Sequence, residues 1–212
     1  MQDYYAARAT EYDKVYTKPE RQADLRQIEK WLPNVFAGRS LLEVACGTGY
    51  WTQYLALHCA HVLAVDSALE TIQVAQSRVP PGKVEFIVGD AYSLPHQPKS
   101  LGAGFAGFWW SHIPRAKIGD FLLGFHAALE PGAPVVFLDN RFVPGSSSPI
   151  TEQDAGGNTY QTRLLSDGTS HRVLKNFPSK QELLAAVSSF AAGLRYHEWE
   201  YYWALEYTTT AP

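Results

Sequence analysis

Apolar positions between Leu41 and Leu138 follow two rhythms. Short apolar runs at 41–45, 62–65, 84–88, 103–108 and 134–138 alternate with stretches at 50–58, 68–78 and 116–129 in which apolar residues recur every three or four positions. The runs predict buried strands and the periodic stretches predict helices, the last closed by Pro131-Gly132. Strands alternating with helices in this way predict a parallel sheet covered on both faces.

The flanks read differently. Residues 3–16 carry Tyr4, Tyr5, Tyr12 and Tyr16 at helical spacing, and Leu25, Ile28, Trp31 and Leu32 mark an amphipathic helix that Pro33 is expected to stop. Residues 144–158 are rich in turn formers and predict a surface loop. Apolar and β-prone residues on either side of Ser166-Asp167-Gly168 predict a hairpin, followed by a helix at 179–191 introduced by Pro178-Ser179. The aromatic segment 194–210 predicts two strands that complete the sheet.

Composition narrows the classes. A chain of 212 residues with 46% apolar and 18% charged residues is expected to fold as one globular domain, 1–212. The net charge of −3 comes without any clustered run of Lys or Arg, which speaks against a nucleic-acid partner. Two cysteines are too few for a disulfide framework, and Cys46 reads as a small buried thiol. The first residues lack the apolar core of a signal peptide and no run reaches membrane length, so a cytoplasmic protein with no membrane partner is expected.

The chemistry lies in 41-LLEVACGTGYWTQYLA-56, where an apolar strand exits through Gly47-Thr48-Gly49. Bare backbone beyond a strand's carboxyl end is where α/β sheets bind ligands. No Lys-Ser/Thr follows the glycines, which excludes a P-loop, and Thr52 stands where a dinucleotide fingerprint needs its third glycine. A cofactor that needs close backbone approach without a pyrophosphate cradle remains.

Glu43-Val44-Ala45-Cys46-Gly47-Thr48-Gly49 resembles the E/D-x-G-x-G-x-G motif of class I S-adenosylmethionine (SAM)-dependent methyltransferases, with Ala45 replacing the first glycine. Asp66, in 62-VLAVDSA-68, resembles the acid that accepts hydrogen bonds from the ribose, and Asp90-Ala91 resembles the pair that meets the adenine edge. The resemblance covers residues 40–140. It implies an α/β, Rossmann-like, seven-stranded, mostly parallel sheet with helices on both faces and the last strand antiparallel. It also implies an N-terminal helical lid at 1–36, a cofactor-binding core at 40–142, a loop and hairpin insertion at 143–178, and a C-terminal helix and strands at 179–212.

The resemblance further implies SAM as cofactor, with S-adenosylhomocysteine as product. Tyr5, Arg21, Glu43, Ala45, Gly47, Gly49, Tyr50, Trp51, Asp66, Ser67, Asp90, Ala91 and Phe108 are the expected cofactor residues. His112 and Asp139 are the expected catalytic groups. Tyr12, Trp109, Ser111, Asn140, Arg141, Tyr160 and Arg163 are the expected acceptor residues. No carboxylate ends the fourth strand, at Gly107-Phe108-Trp109, so no metal site is expected.

Arg8, Arg21, Arg141 and Arg163 are candidates to hold a carboxylate, and a small polar metabolite is the expected partner. In size and layout the chain also resembles stand-alone N-methyltransferases of the ovothiol type, which implies an imidazole amino acid such as a thiohistidine as acceptor. Methylation of RNA or protein, and SAM binding without transfer, are the rival readings. A monomer or homodimer fits either.

Overall fold

A computed structural model describes residues 12–94, 101–165 and 167–210. Tyr5 and Arg8 lie outside the described residues, and for Tyr12 the description is limited to its backbone, in the 3-10 turn Tyr12–Tyr16. A second 3-10 turn, Pro19–Arg21, leads into helix α1 (Gln22–Val35). Strands β1 (Ser40–Val44), β2 (His61–Asp66), β3 (Val84–Val88), β4 (Ala103–Gly107) and β5 (Pro134–Asn140) follow. Helices α2 (Tyr50–His58), α3 (Leu69–Gln76) and α4 (Ile118–Ala127) connect them.

Beyond β5 come β6 (Glu152–Gln153), β7 (Thr159–Leu164), β8 (Ser170–Leu174), helix α5 (Lys180–Val187), β9 (Ala191–Glu198) and β10 (Tyr202–Thr209). Seven strands form one sheet in the order β3-β2-β1-β4-β5-β10-β9. β1 through β5 pair in parallel, and β10 runs antiparallel to both neighbours. This is the expected Rossmann-like sheet with its last strand reversed. Strands β6, β7 and β8 form a separate antiparallel sheet.

Period-two alternation divides the core. Leu41, Val62, Ala64, Phe105, Val136 and Leu138 face one way and pack with Leu25, Ile28 and Leu32 of α1, Trp51 and Leu55 of α2, and Ile72 of α3. Their neighbours Leu42, Leu63, Val65, Val135 and Phe137 face the other way and pack with Phe121 and Phe125 of α4 and Leu183 and Val187 of α5. Successive side chains of a strand point to opposite faces, so uninterrupted apolar runs demand helices on both sides. Neighbours β2 and β4 flank β1 and their connections leave in opposite directions, which opens a crevice at the carboxyl ends.

Two boundaries differ from expectation. Pro33 lies inside α1, which continues to Val35. In the last turn a proline forfeits one hydrogen bond, and the Pro33 ring is buried. Helix α5 ends at Val187, and Ala191 already belongs to β9. Its start follows from chemistry, since Ser179 and Glu182 form a reciprocal capping box.

Gly104 shows how closely α4 approaches β4. A Cβ there would sit 2.6 Å from Phe125 Cζ and 2.7 Å from Leu129 Cδ1. Gly104→Val is expected to destabilise the fold by about 1–3 kcal/mol through overpacking. Gly124→Ala, in α4 with nothing within 4 Å of the new Cβ, is expected to stabilise it. Urea unfolding midpoints that shift alike in both variants would contradict this packing.

Candidate active site

The glycine turn after β1 bends through three left-handed residues, Ala45 (φ 57°), Gly47 (φ 54°) and Gly49 (φ 76°). The two glycines are bare for different reasons. A Cβ at Gly49 would lie 2.8 Å from Ala75 Cβ, so α2 meets α3 only because that residue has no side chain. A Cβ at Gly47 would meet nothing within 4 Å. Packing does not require that bareness, and open space there is what a close-lying ligand needs.

Asp66 ends β2 and anchors the turn. Its Oδ2 accepts from the Gly47 amide at 2.8 Å, while Oδ1 accepts from the Ala68 amide at 3.0 Å and the Thr71 hydroxyl at 3.1 Å. Burial pushes the Asp66 carboxyl up, and these bonds offset only part of that. Behind the turn Glu43 is buried, with Oε2 lacking a hydrogen-bond partner among the described residues. Burial, assisted by the Asp66 charge and opposed by the nearby Thr52, pushes its carboxyl up to about 8. Burial also raises the Cys46 thiol well above its ordinary range, which makes it an inert core thiol.

Two cavities open at the carboxyl ends of the strands. The smaller, about 100 Å3, is lined by Ala45, Gly47, Asp66, Ser67, Asp90 and Ala91, closed by Phe108, Trp109 and His112. The larger, about 300 Å3, lies beneath the β6–β8 sheet and is lined in part by Lys18, Arg21, Asn140, Ser146, Arg163 and Lys175. Phe108 and His112 line both. Phe108 holds a left-handed backbone, φ 58°, with its amide donating to the Leu138 carbonyl at 2.7 Å. A strained non-glycine residue at a cavity junction is the kind of cost that functional sites carry.

The larger cavity is cationic. Arg21 is only 6% exposed, and its guanidinium donates to Ser146 Oγ at 3.0 Å and Asn140 Oδ1 at 2.8 Å, both neutral. Lys18 donates to the Ser146 carbonyl at 2.5 Å. Arg163 donates to Gln161 Oε1 at 2.9 Å. Lys175 is held from beneath by Ser111 Oγ at 2.6 Å and Asp139 Oδ1 at 3.1 Å. Burial lowers the Lys175 ammonium, and Asp139 offsets part of this. For Asp139 burial acts upward, but Lys175 and the other groups around it outweigh that and hold the carboxyl below its usual range.

His112 sits where the cavities meet. Its Nδ1 lies 2.6 Å from the Leu174 carbonyl oxygen, which can only accept, so Nδ1 carries the proton and Nε2 presents a lone pair. Burial, and then the charges of Lys175 and Arg163, lowers its pKa well below the ordinary histidine value. The ring is neutral at pH 7.

With this geometry, known proteins can be compared. Residues 41–132 match the model of a methyltransferase domain family. Solved structures of a DhpI–S-adenosylhomocysteine complex and a DhpI–SAM–HEP complex superpose on the chain with TM-scores of 0.80 and 0.77, each at 26% identity. The first covers 100% of this chain and 96% of that one, the second 97% and 94%. The chain has the fold of these methyltransferase structures, and residues 41–132 carry the methyltransferase-domain match. Among curated relatives, a magnesium-protoporphyrin O-methyltransferase of Rhodobacter capsulatus is 44% identical over 62 residues, 28% of each chain. A phthiotriol/phenolphthiotriol dimycocerosates methyltransferase of Mycobacterium leprae is 33% identical over 110 residues, 50% of this chain and 39% of that one. The chain spans less than half the length of either.

The smaller cavity fits part of the family's cofactor. Gly47 leaves it open, Asp66, Ser67, Asp90 and Ala91 line it, and it shares Phe108 and His112 with the larger cavity.

Other expected positions are displaced. Arg21 lines the larger cavity and not the smaller, and Trp109 the reverse. Gly49 serves helix packing, and Trp51 is a core residue. Tyr50 donates to Glu29 at 2.5 Å, stacks on Tyr16 and lines neither of these cavities. Asp139 and Ser111 lie buried behind Lys175 and do not line a cavity wall.

Arg141 faces away. It pairs with Glu198 at 3.3 Å and donates to the Trp199 carbonyl at 2.5 Å, holding the β9–β10 turn. Tyr160 donates to Asp154 at 2.8 Å and is covered by Arg172 on the outer hairpin. Sequence reading overlooked Lys18, Ser146, Gln161 and Lys175, which carry no local motif. An apolar strand ending in a lone lysine, 173-VLK-175, was the available sign.

Glu43 generates a prediction. An acid whose folded pKa lies above its unfolded value stabilises the fold most at low pH. That contribution is lost as pH rises from the ordinary carboxylate range through about 8. Stability is therefore expected to fall by a few kcal/mol across that window, and Glu43→Gln to flatten the profile. Identical urea-unfolding profiles from pH 5 to 8.5 for the two proteins would contradict a neutral buried Glu43.

Proposed function

We propose that this protein transfers a methyl group from SAM to a small acceptor bearing an oxyanion. The observation that carries the reading is Arg21, a buried guanidinium in the larger cavity whose described partners, Ser146 and Asn140, are both neutral. Glu20 lies on the far side of Ser146, accepting from its hydroxyl at 2.8 Å, and a buried charge compensated at that remove is costly. A cavity that also presents Lys18, Arg163 and Lys175, with no carboxylate among its described lining residues, suits a bound anion as further counter-charge.

In this reading Gly47, Asp66, Ser67, Asp90 and Ala91 hold the cofactor's nucleoside, and Phe108 forms the wall between cofactor and acceptor. SAM held there would supply an electrophilic methyl on a sulfonium, whose C–S electrons would pass to sulfur as the acceptor's lone pair bonds the methyl carbon. Arg21, Lys18, Arg163 and Lys175 orient the acceptor, which is the main protein contribution to such a transfer. A nucleophile that arrives protonated gives its proton to His112 Nε2, whose tautomer the Leu174 carbonyl fixes. Ser111 and Asp139 position Lys175.

The cation-lined cavity favours an acid over a thiohistidine. An amino-acid acceptor brings an ammonium, and among the described residues no carboxylate lines the cavity to receive it. A macromolecular acceptor has no observation in its favour, since the cations face inward under the β6–β8 sheet. Among the described residues no helix is long and apolar enough to cross a membrane.

Calorimetric titration tests both halves. S-Adenosylhomocysteine is expected to bind the wild-type protein near one-to-one, and Gly47→Val or Asp66→Ala to abolish or strongly weaken binding in a folded protein. In its presence small phosphorylated, sulfonated or carboxylated metabolites are expected to bind. Arg21→Met is expected to weaken them about tenfold to a hundredfold, the range for a charged hydrogen bond. Wild-type cofactor affinity in both cofactor-site variants would refute the cofactor site, and anion binding indifferent to Arg21 would refute the acceptor site.

A further inference from the structure

The larger cavity withdraws charge from water. Pockets ordinarily have an apolar floor and a polar rim, because apolar side chains are the ones withdrawn from water. Here charged and polar groups share the floor with the buried rings of Phe108 and Tyr202: Arg21, His112 and Lys175 are 6%, 4% and 5% exposed. At the mouth stands Leu164, 74% exposed at the end of β7, with half-buried Phe177 also in the wall. Phe142, 41% exposed, packs edge-on to Phe177 with ring centroids 5.3 Å apart. Ser148 and Thr162 share the rim, so the apolar part forms one side of the exit and not a collar.

An exposed leucine alone is ordinary. Leu164, Phe177 and Phe142 differ in lying at the exit of a cationic cavity. We propose that the acceptor is an amphiphile: its anionic end sits at Arg21 and Lys175, and an alkyl or ring portion leaves across Leu164 and Phe177. This inference rests on the oxyanion reading above. It commits to a single dissolved molecule as occupant, because the charge that complements the apolar exit lies on Arg21 and Lys175, 6% and 5% exposed on the cavity floor, out of reach of a flat bilayer surface.

The test is a series of n-alkyl phosphates, methyl, butyl and octyl, titrated below their micellar concentrations into protein saturated with S-adenosylhomocysteine. Each methylene fully buried is worth about fourfold in affinity, and partial burial at an open mouth still predicts at least about tenfold from methyl to butyl phosphate. Leu164→Ser with Phe177→Ser is expected to cut that ratio below about threefold. Equal affinity for all three phosphates would overturn the amphiphile and leave the oxyanion reading intact. A chain-length ratio unchanged in the double variant would overturn the assigned exit. Failure of every phosphate to bind, with S-adenosylhomocysteine still bound, would overturn the oxyanion reading and the amphiphile with it. Sedimentation with anionic vesicles that depends on Leu164, without any gain from chain length, would assign these side chains to a membrane surface and also overturn the proposal.

Discussion

The site depends on one buried ion pair, Lys175 with Asp139, at 3.1 Å. Asp139 ends a central strand of the large sheet, and Lys175 follows the last strand of the small one. Ser111, in the turn after β4, accepts from Lys175 through its hydroxyl, and its amide donates to Asp139 Oδ2 at 2.9 Å. Three chain segments thus converge on two charges. Burying such a pair gains little net stability over an apolar filling, yet removing one partner costs about 3–5 kcal/mol because the other is left unpaired. The pair fixes the small sheet on the large one, and with it the Leu174 carbonyl that orients His112.

From that pairing the division of the site follows. The parallel sheet alone provides the glycine turn, Asp66 and Asp90, all within the region that matches the methyltransferase domain family. The four cations of the larger cavity come from elsewhere: Lys18 and Arg21 precede α1, and Arg163 and Lys175 belong to the insertion. In the proposed reading cofactor contacts belong to the common fold and acceptor contacts to its additions, with Phe108 and His112 lining both cavities. The left-handed backbone of Phe108 falls at the junction of the two linings.

This division also explains what was legible in the sequence. Strand order and helix faces were readable because apolar periodicity is a local property of the chain. That Gly47, Asp66 and Asp90 lie at strand ends and line one cavity was readable because backbone geometry ties them there. Asp139 and Arg141 were misplaced because their neighbours are set by β9, β10 and the insertion, which pair across tens of residues. Lys175 was missed for the same reason, since nothing in its local sequence reveals Asp139 beneath it. Pro33 misled because the penalty of a proline depends on where in a helix it falls.

The central claim is that a nucleoside and an anion bind side by side on opposite sides of Phe108 and His112. A crystal structure of the protein with S-adenosylhomocysteine and inorganic phosphate tests it most directly. The account predicts the nucleoside against Gly47, Asp66 and Asp90, and phosphate between Arg21 and Lys175. Phosphate found only outside that cavity, or a nucleoside lying among the four cations, would contradict it.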